Sequence, residues 1–169
     1  MRKTSILMMV TMALWLLIAP PRFPAHAQET CLGQVATIAG AGTIDGTSGD
    51  DVIVGSSGDD TINGNGGNDL VCAGDGNDTV TTGSGRDVID AGKGNDIVIA
   101  GDGDDVVFGG WGLDALNGEG GHDVLDGGQD ADTINGGDGR DLVQGGPGSD
   151  NDTLSGGADG DVIEGGPGD

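Results

Sequence analysis

The sequence predicts an all-β fold, a right-handed β-solenoid of nine-residue repeats in which short parallel strands stack into two sheets. An aspartate recurs every nine residues from Asp51 to Asp141 without interruption. An aliphatic side chain stands two positions after each of these aspartates, and glycines crowd the positions before it. A fixed period of this length indicates a repeat architecture before any local propensity is weighed.

The composition excludes several classes of function. The chain has 169 residues, a formal net charge of -23 and only 2% aromatic residues. Such an acidic protein repels nucleic acid and anionic membranes, so its expected small partner is a cation. The same composition is typical of disordered chains, but a disordered chain has no reason to keep Ile, Val and Leu in register from repeat to repeat.

Residues 1–27 have the three parts of a secretory signal peptide. A basic start and an apolar run are followed by Ala25-His26-Ala27, which places small residues where a signal peptidase cleaves. We therefore expect cleavage between Ala27 and Gln28, secretion, and no membrane partner after cleavage. An uncleaved membrane anchor is the alternative, although the apolar run is shorter than the roughly 20 residues that span a bilayer.

Residues 28–45 precede the first complete repeat and are predicted to cap the open end of the solenoid. Export would place Cys31 and Cys72, the only cysteines, in an oxidising compartment, where one disulfide is the simplest prediction. Cys72 takes an outward position, which a cap folding back over the outer face would reach. Two free thiols are the alternative, and two cysteines without a nearby histidine are too few for zinc.

The nine residues from Ala100 to Phe108 show how one repeat forms one turn and one strand. The first six residues are rich in Gly and Asp and are predicted to form a turn. The last three are predicted to form a very short strand whose middle residue, Val107, faces inward. Two repeats then complete one circuit, so strands two repeats apart stack in parallel and their central aliphatic side chains interdigitate.

This stacking places alternate aspartates on opposite edges of the solenoid. Strands in adjacent coils lie about 4.8 Å apart, a spacing at which stacked carboxylates repel unless a divalent ion lies between them. Oxygen ligands from carboxylates and inward carbonyls favour Ca²⁺ over Mg²⁺. One edge is predicted to carry Asp51, Asp69, Asp87, Asp105, Asp123 and Asp141, and the other Asp60, Asp78, Asp96, Asp114, Asp132 and Asp152.

The C-terminal aspartates and the free energy of folding bear on the metal prediction as well. A two-residue insertion after Asp141 leaves the next ligand open between Asp150 and Asp152, and Asp161 closes the series. A core one aliphatic side chain thick supplies less free energy than ordering so many glycine-rich repeats costs. We therefore expect several calcium ions, and we expect folding and calcium binding to be one coupled event.

The nonapeptide G-G-x-G-x-D-x-U-x, in which U is aliphatic, occurs almost intact at residues 109–117 and 136–144. On these residues the chain resembles the haemolysin-type calcium-binding repeat (RTX) family over roughly residues 46–169. The resemblance implies a bacterial, calcium-dependent parallel β-roll, with ions between consecutive turns held by the sixth-position aspartates and by turn carbonyls. The chain looks like the Sec-exported members built almost wholly of repeats, rather than the family's toxins and proteases.

Two repeats depart from this motif. Asp130 and Asp159 stand where the motif has its fourth-position glycine. We expect a Cβ at these positions to disturb the turn that presents the carbonyls.

The sequence gives little evidence for a catalytic site. His122 is the one histidine beyond the leader, and no motif with a catalytic nucleophile surrounds it. We therefore predict that the protein is not an enzyme. Two alternatives to plain calcium binding stay open: an extracellular adhesion or carbohydrate-binding module with structural calcium, and an accessory fragment of a secreted hydrolase. Outward apolar residues such as Phe108 and Trp111 would suit a cell-surface or polysaccharide partner. A threonine series on the opposite face would suit ice or sugar.

Overall fold

The computed structural model describes residues 29–147 and 150–167. This part of the chain is all-β, and it contains no helix long and apolar enough to cross a membrane. The predicted leader and its cleavage site before Gln28 lie outside the described residues. The strands are β1 Thr30–Cys31, β2 Gln34–Val35, β3 Ile38–Ala39, β4 Thr43–Asp45, β5 Val52–Val54, β6 Thr61–Asn63, β7 Leu70–Asp75, β8 Thr79–Ser84, β9 Val88–Lys93, β10 Ile97–Asp102, β11 Val106–Trp111, β12 Ala115–Gly121, β13 Val124–Gln129, β14 Thr133–Gly139, β15 Leu142–Gln144, β16 Thr153–Ala158 and β17 Val162–Glu164.

Successive strands alternate between two parallel sheets. The even-numbered strands from β4 to β16 form a seven-stranded sheet, and the odd-numbered strands from β3 to β17 form an eight-stranded sheet. Strands pair two repeats apart, so that Val106 lies opposite Val88 on one side and Val124 on the other. The predicted solenoid, with two repeats in each circuit or coil, is confirmed.

The strands are longer than predicted. In the central coils they span six or seven residues, and only three residues, such as Gly103 to Asp105 between β10 and β11, remain as a turn. The prediction of a six-residue turn is wrong, because the strand continues through the glycine at the second position of the repeat. Gly101 adopts a φ of +110° and still pairs with Gly83 and Glu119 in the neighbouring coils. A residue without a Cβ bends the strand there without leaving the ladder.

The core contains one aliphatic side chain from each strand, as predicted, and a second inward position that the sequence analysis missed. The aliphatic side chains from Ile44 to Val143 are buried at every repeat. The additional position is the first of each repeat, seven residues before the next aliphatic one. Its buried side chains are Ala73, Thr82, Ala91 and Ala100. The sheets therefore pack across small residues as well as across Val and Ile.

The N-terminal residues form a hairpin and an incomplete first coil. Strands β1 and β2 pair antiparallel, whereas β3 joins β5 and β4 joins β6 in the two parallel sheets. Ile44 of β4 is buried, so this short strand contributes to the core. At the other end, Ile163 of β17 is 49% exposed.

A disulfide joins the hairpin to the outer face of the eight-stranded sheet. Cys31 of β1 and Cys72 of β7 are bonded, and Cys31 is fully buried. The predicted pairing is confirmed in this structure, and the hairpin reaches Cys72 by folding back over the sheet. The bond closes a loop across a sequence separation of 41 residues.

Opening this loop is expected to destabilise the protein. The double substitution Cys31→Ser and Cys72→Ser should lower the free energy of unfolding by about 3–4 kcal/mol, because the unfolded chain regains the entropy of a long loop. Guanidinium unfolding curves of the variant and the parent chain measure the difference. Either single substitution should cost as much as the double one. If the free energy of unfolding falls by less than about 1 kcal/mol, the disulfide does not stabilise the protein by restricting the entropy of the unfolded loop.

Candidate metal centre

The sixth-position aspartates stand in two columns, one at each edge of the solenoid. Each aspartate directly precedes a strand, and those from Asp51 to Asp141 are buried. The first column contains Asp51, Asp69, Asp87, Asp105, Asp123, Asp141 and Asp161, and the second contains Asp60, Asp78, Asp96, Asp114, Asp132 and Asp152. The predicted arrangement of two aspartate ladders is present.

The insertion after Asp141 does not interrupt either column. The N–H of Asp132 donates to Asp152 Oδ1 at 2.9 Å, and the N–H of Asp141 donates to Asp161 Oδ1 at 3.1 Å. Asp150 is exposed. Of the two candidates left open by the sequence, Asp152 therefore continues the second column.

One carboxylate oxygen of every column aspartate except Asp51 is held by a backbone N–H of the coil before it. The N–H of Asp87 donates to Asp105 Oδ1 at 2.8 Å, and the N–H of Asp105 donates to Asp123 Oδ1 at 2.9 Å. The same bond recurs along both columns. The carboxylates are therefore not the simple self-repelling stack that the sequence predicts, because this peptide N–H fixes each side chain and partly offsets its charge.

The second carboxylate oxygen is buried and has no hydrogen-bond donor over most of both columns. These oxygens are Oδ2 of Asp69, Asp78, Asp87, Asp96, Asp105, Asp114, Asp123, Asp132 and Asp141. A buried acceptor without a partner is costly, and a buried charge without one is costlier. Donor-free carboxylate oxygens in regular columns fit a bound hard cation.

Backbone carbonyls border these oxygens. A Cβ added to Gly109 would lie 2.6 Å from Asp114 Oδ2 and 2.5 Å from the carbonyl oxygen of Gly127 in the next coil. Gly118 and Gly136 occupy equivalent places beside the carboxylates of Asp123 and Asp141. The missing side chain leaves room between a carboxylate and a carbonyl oxygen, which are the ligand types that Ca²⁺ accepts. In the repeats of Asp78 to Asp105 a small Ala or Thr takes this position.

The donor set also constrains the kind of metal. Within the described ranges, no three Asp, Glu, His or Cys side chains come together as a ligand group. An ion at these edges would therefore have to combine one or two carboxylates with main-chain carbonyls. That mixture suits Ca²⁺ and lacks the nitrogen and sulfur ligands that zinc and copper prefer.

Burial shifts the ionisation of these aspartates. Desolvation raises the pKa of Asp105 and Asp114 to about 7, although the N–H that each accepts from the preceding coil lowers it and stacked carboxylates raise it further. Burial likewise raises the pKa of Asp69 and Asp123 to about 6. The fold therefore holds these carboxylates under an electrostatic penalty that a cation would remove.

The first aspartate of each column has a different environment. Asp51 Oδ2 accepts the backbone N–H and the hydroxyl of Thr47 at 2.7 and 2.8 Å. Asp60 Oδ2 accepts the backbone N–H of Ser56 at 2.7 Å. The backbone N–H of Thr47 is the main reason why the pKa of Asp51 lies below its usual value.

The two repeats that lack the fourth-position glycine keep the turn. Asp130 and Asp159 both adopt a φ of +77°, which is positive but smaller than that of glycines at this position, such as +142° at Gly121 and +141° at Gly139. The following aspartate of the first of these repeats, Asp132, remains bonded within its column. The turn stays left-handed, because aspartate tolerates this backbone region better than most side chains, but its φ differs from that of the glycine turns.

A second polar ladder follows the turns at the fifth position of the repeat. Asn77 Oδ1 accepts the N–H of Asn95 at 2.8 Å, and Asn95 Oδ1 accepts the N–H of Leu113 at 2.9 Å. On the other edge, Nδ1 of the exposed His122 accepts the N–H of Arg140 at 3.0 Å. His122 thus has a structural partner in this ladder. The recurrence of Asn and Asp at this position was the signal that the sequence analysis did not use.

Comparison with known proteins supports the assignment of the repeat. A family model described as the RTX calcium-binding nonapeptide repeat matches in four copies, over residues 45–80, 81–116, 117–151 and 147–169. No curated protein and no solved structure matches at a significant level.

The raised pKa values predict how the metal-free solenoid responds to pH. An aspartate whose pKa is higher in the folded chain stabilises folding at low pH, and that contribution is lost as pH rises through the folded-state pKa. For Asp105 and Asp114 the loss extends from their usual value of 3.8 up to about 7. Far-UV circular dichroism in metal-free buffer should therefore show more strand signal at about pH 5 than at about pH 8. A signal that is flat or falls on acidification would contradict this prediction.

Proposed function

The chain belongs to the RTX calcium-binding nonapeptide repeat family, and from this premise we propose that it is a secreted β-roll whose folding is coupled to binding of several Ca²⁺ ions. The observation that carries the proposal is the series of buried Oδ2 atoms without a donor, from Asp69 to Asp141. Each such oxygen is fixed in place because the same carboxylate accepts a backbone N–H through Oδ1.

Coupling to folding follows from the charge. Without a cation, closing each coil between Asp69 and Asp141 buries a carboxylate oxygen with no partner, and the cost repeats along both columns. Bound Ca²⁺ supplies the positive charge and accepts oxygen ligands in a flexible geometry. The unfolded chain has no preformed site, so the free energy of ion binding contributes directly to folding.

Calcium suits this arrangement better than magnesium. Mg²⁺ demands near-octahedral geometry and gives up its water reluctantly, whereas Ca²⁺ takes 6–8 oxygens at longer and more variable distances. At the two edges of the roll, the spacing of the strands fixes where the backbone carbonyls and the carboxylates lie. Such fixed positions suit an ion that tolerates variable ligand distances.

Secretion is supported by the sequence of residues 1–27 and by the Cys31–Cys72 disulfide. Extracellular calcium modules bind at about 10⁻⁴–10⁻³ M, so such a protein would be largely unfolded where calcium is scarce and would fold after export. The repeats of this family form a structural, calcium-binding module, and we propose a non-enzymatic role for this chain.

A partner-binding role is the second candidate, and one observation favours it. The strand register aligns an aliphatic column along the outer face of the eight-stranded sheet: Val52, Leu70, Val88, Val106, Val124, Leu142 and Val162. Phe108 and Trp111 on the same sheet are 40% and 57% exposed. A glycan array probed with the calcium-loaded protein tests the carbohydrate form of this role, and the absence of any bound glycan would remove it.

Calcium should drive folding of residues 28–169. We predict that far-UV circular dichroism shows little strand signal in EDTA and a cooperative gain as Ca²⁺ is added, with Mg²⁺ ineffective over the same range. Fluorescence of Trp111, the one tryptophan beyond residue 27, gives an independent reading. A full strand signal in EDTA would contradict the coupling, and an equal response to Mg²⁺ would contradict the preference for calcium.

Substituting a column aspartate between Asp69 and Asp141 should weaken calcium-dependent folding, whereas substituting the exposed aspartate beside it should not. Asp105→Asn keeps an oxygen for the N–H of Asp87 but removes the charge, and should raise the calcium concentration at the folding midpoint by roughly tenfold. Asp104→Asn is the matched control, because the adjacent Asp104 is exposed and lies outside the columns. Equal effects of the two substitutions would mean that overall charge, and not the column, governs calcium binding.

A further inference from the structure

The first two turns of the roll differ in construction from all the later ones. They are residues 47–51 (Thr-Ser-Gly-Asp-Asp) and 56–60 (Ser-Ser-Gly-Asp-Asp), and we call them the hydroxyl turns. The hydroxyls of Thr47 and Ser56 each accept the N–H of the residue two positions later, at 3.2 Å. No later turn within the described ranges has Ser or Thr at this second position of the repeat.

In the hydroxyl turns both oxygens of the column aspartate already have donors. Asp51 Oδ2 accepts the N–H and hydroxyl of Thr47, and its Oδ1 accepts the hydroxyl of Thr37 at 3.3 Å. Asp60 accepts the N–H of Ser56 at Oδ2 and the N–H of Gly42 at Oδ1. A backbone N–H directed at Oδ2 presents positive charge in the place where a cation would have to sit, so these two carboxylates do not fit a calcium ion.

The backbone changes at the third turn. From Asn65 onward, the second-position residue of each repeat has a positive φ, as in Asn65 at 68° and Gly74 at 121°. Thr47 and Ser56 are not among the positive-φ residues, and neither are the fourth-position glycines of their turns, Gly49 and Gly58. The switch to left-handed turns coincides with the first donor-free oxygen, that of Asp69.

The same segment is closed covalently and has its own part of the core. The Cys31–Cys72 disulfide encloses both hydroxyl turns within one loop. Inside that loop, Ile44, Ile53 and Ile62 are buried. Forming these first coils therefore buries aliphatic side chains without burying an unpartnered carboxylate, which is not true of any coil between Asp69 and Asp141.

We propose that residues 31–63, tied by the disulfide to Cys72, form a calcium-independent template at the N-terminal end of the roll. In this template Thr47 and Ser56 take the place of the metal, and calcium-dependent coils add to it. This inference rests on the proposed function, because it divides the aspartate columns into two carboxylates that do not bind calcium and later ones that do. The hydroxyl turns would spare the protein the costly first step of forming a solenoid from a fully unfolded chain.

Hydrogen exchange on the intact mature chain tests the template directly. The amides of Thr61 and Val124 hold the same repeat position and donate to Gly42 O and Asp105 O at 2.7 and 2.9 Å, one inside and one outside the template. In EDTA, Thr61 should exchange at least roughly a hundredfold more slowly than an unfolded amide, and Val124 less than roughly tenfold more slowly. With calcium, both amides should be protected.

The outcomes separate the two proposals. If Thr61 exchanges as fast as Val124 in EDTA and calcium protects both, the template is overturned and calcium-coupled folding stands. If calcium changes protection nowhere, the proposed function itself fails. If both amides are already protected in EDTA, the whole roll is independent of calcium and both proposals fall.

A matched pair of substitutions provides a second test. Asp60 and Asp78 lie one coil apart in the same column, and only Asp78 has a donor-free Oδ2. Equilibrium dialysis should show that Asp60→Asn leaves the number of calcium ions per folded chain unchanged, whereas Asp78→Asn lowers it. An equal loss in both variants would overturn the assignment of Asp60 to the template, and the exchange measurement on the parent chain holds even if Asp60→Asn folds poorly.

Discussion

A single hydrogen bond, from the N–H of each column aspartate to Oδ1 of the aspartate one coil later, sets the relation between coils at both edges. It recurs from Asp51 to Asp161 on one edge and from Asp60 to Asp152 on the other. Because Oδ1 is committed to the backbone, the carboxylate cannot turn away, and Oδ2 is left in a buried position. The hydrogen bond that keeps the coils in register therefore also leaves a buried carboxylate oxygen that a cation would stabilise. One aspartate in each repeat thus serves both the fold and metal binding.

The rest of the repeat follows from that constraint. A column of buried carboxylates leaves space only for small neighbours, and the first position is Ala, Thr or Gly wherever it precedes a donor-free oxygen. Left-handed backbone is needed at the second and fourth positions, where glycine dominates and Asn65, Glu119 and Asp130 substitute for it. The eighth-position aliphatic residues then supply a thin core that stabilises the solenoid but does not offset the buried charge. In the hydroxyl turns, Thr47 and Ser56 instead donate hydrogen bonds to the Oδ2 atom of the column aspartate, where later turns would need an ion.

The nine-residue period of the sequence predicts much of this fold and of the aspartate columns. Nine residues per repeat predicted the two sheets, the two aspartate columns and the inward aliphatic position, because each depends only on spacing. The Cys31–Cys72 pairing also followed, from export and from the outward position of Cys72. Strand length was mispredicted, because Gly101 and its equivalents bend without leaving the ladder, and a composition rule reads such glycines as turns. The bond to Oδ1 was missed because a backbone donor leaves no trace in the sequence. The difference between Ser56 and Gly74 at the second position was visible, but its meaning required knowing where the N–H points.

The most direct measurement of the central claim is a crystal structure of residues 28–169 grown with calcium, with ions located by their anomalous scattering. The account predicts ions about 2.3–2.6 Å from Oδ2 of the column aspartates between Asp69 and Asp141, with Oδ1 still accepting the N–H from the preceding coil. Ions held instead by the exposed fifth-position carboxylates, or Oδ2 atoms satisfied by protein donors along the whole length of both columns, would contradict it.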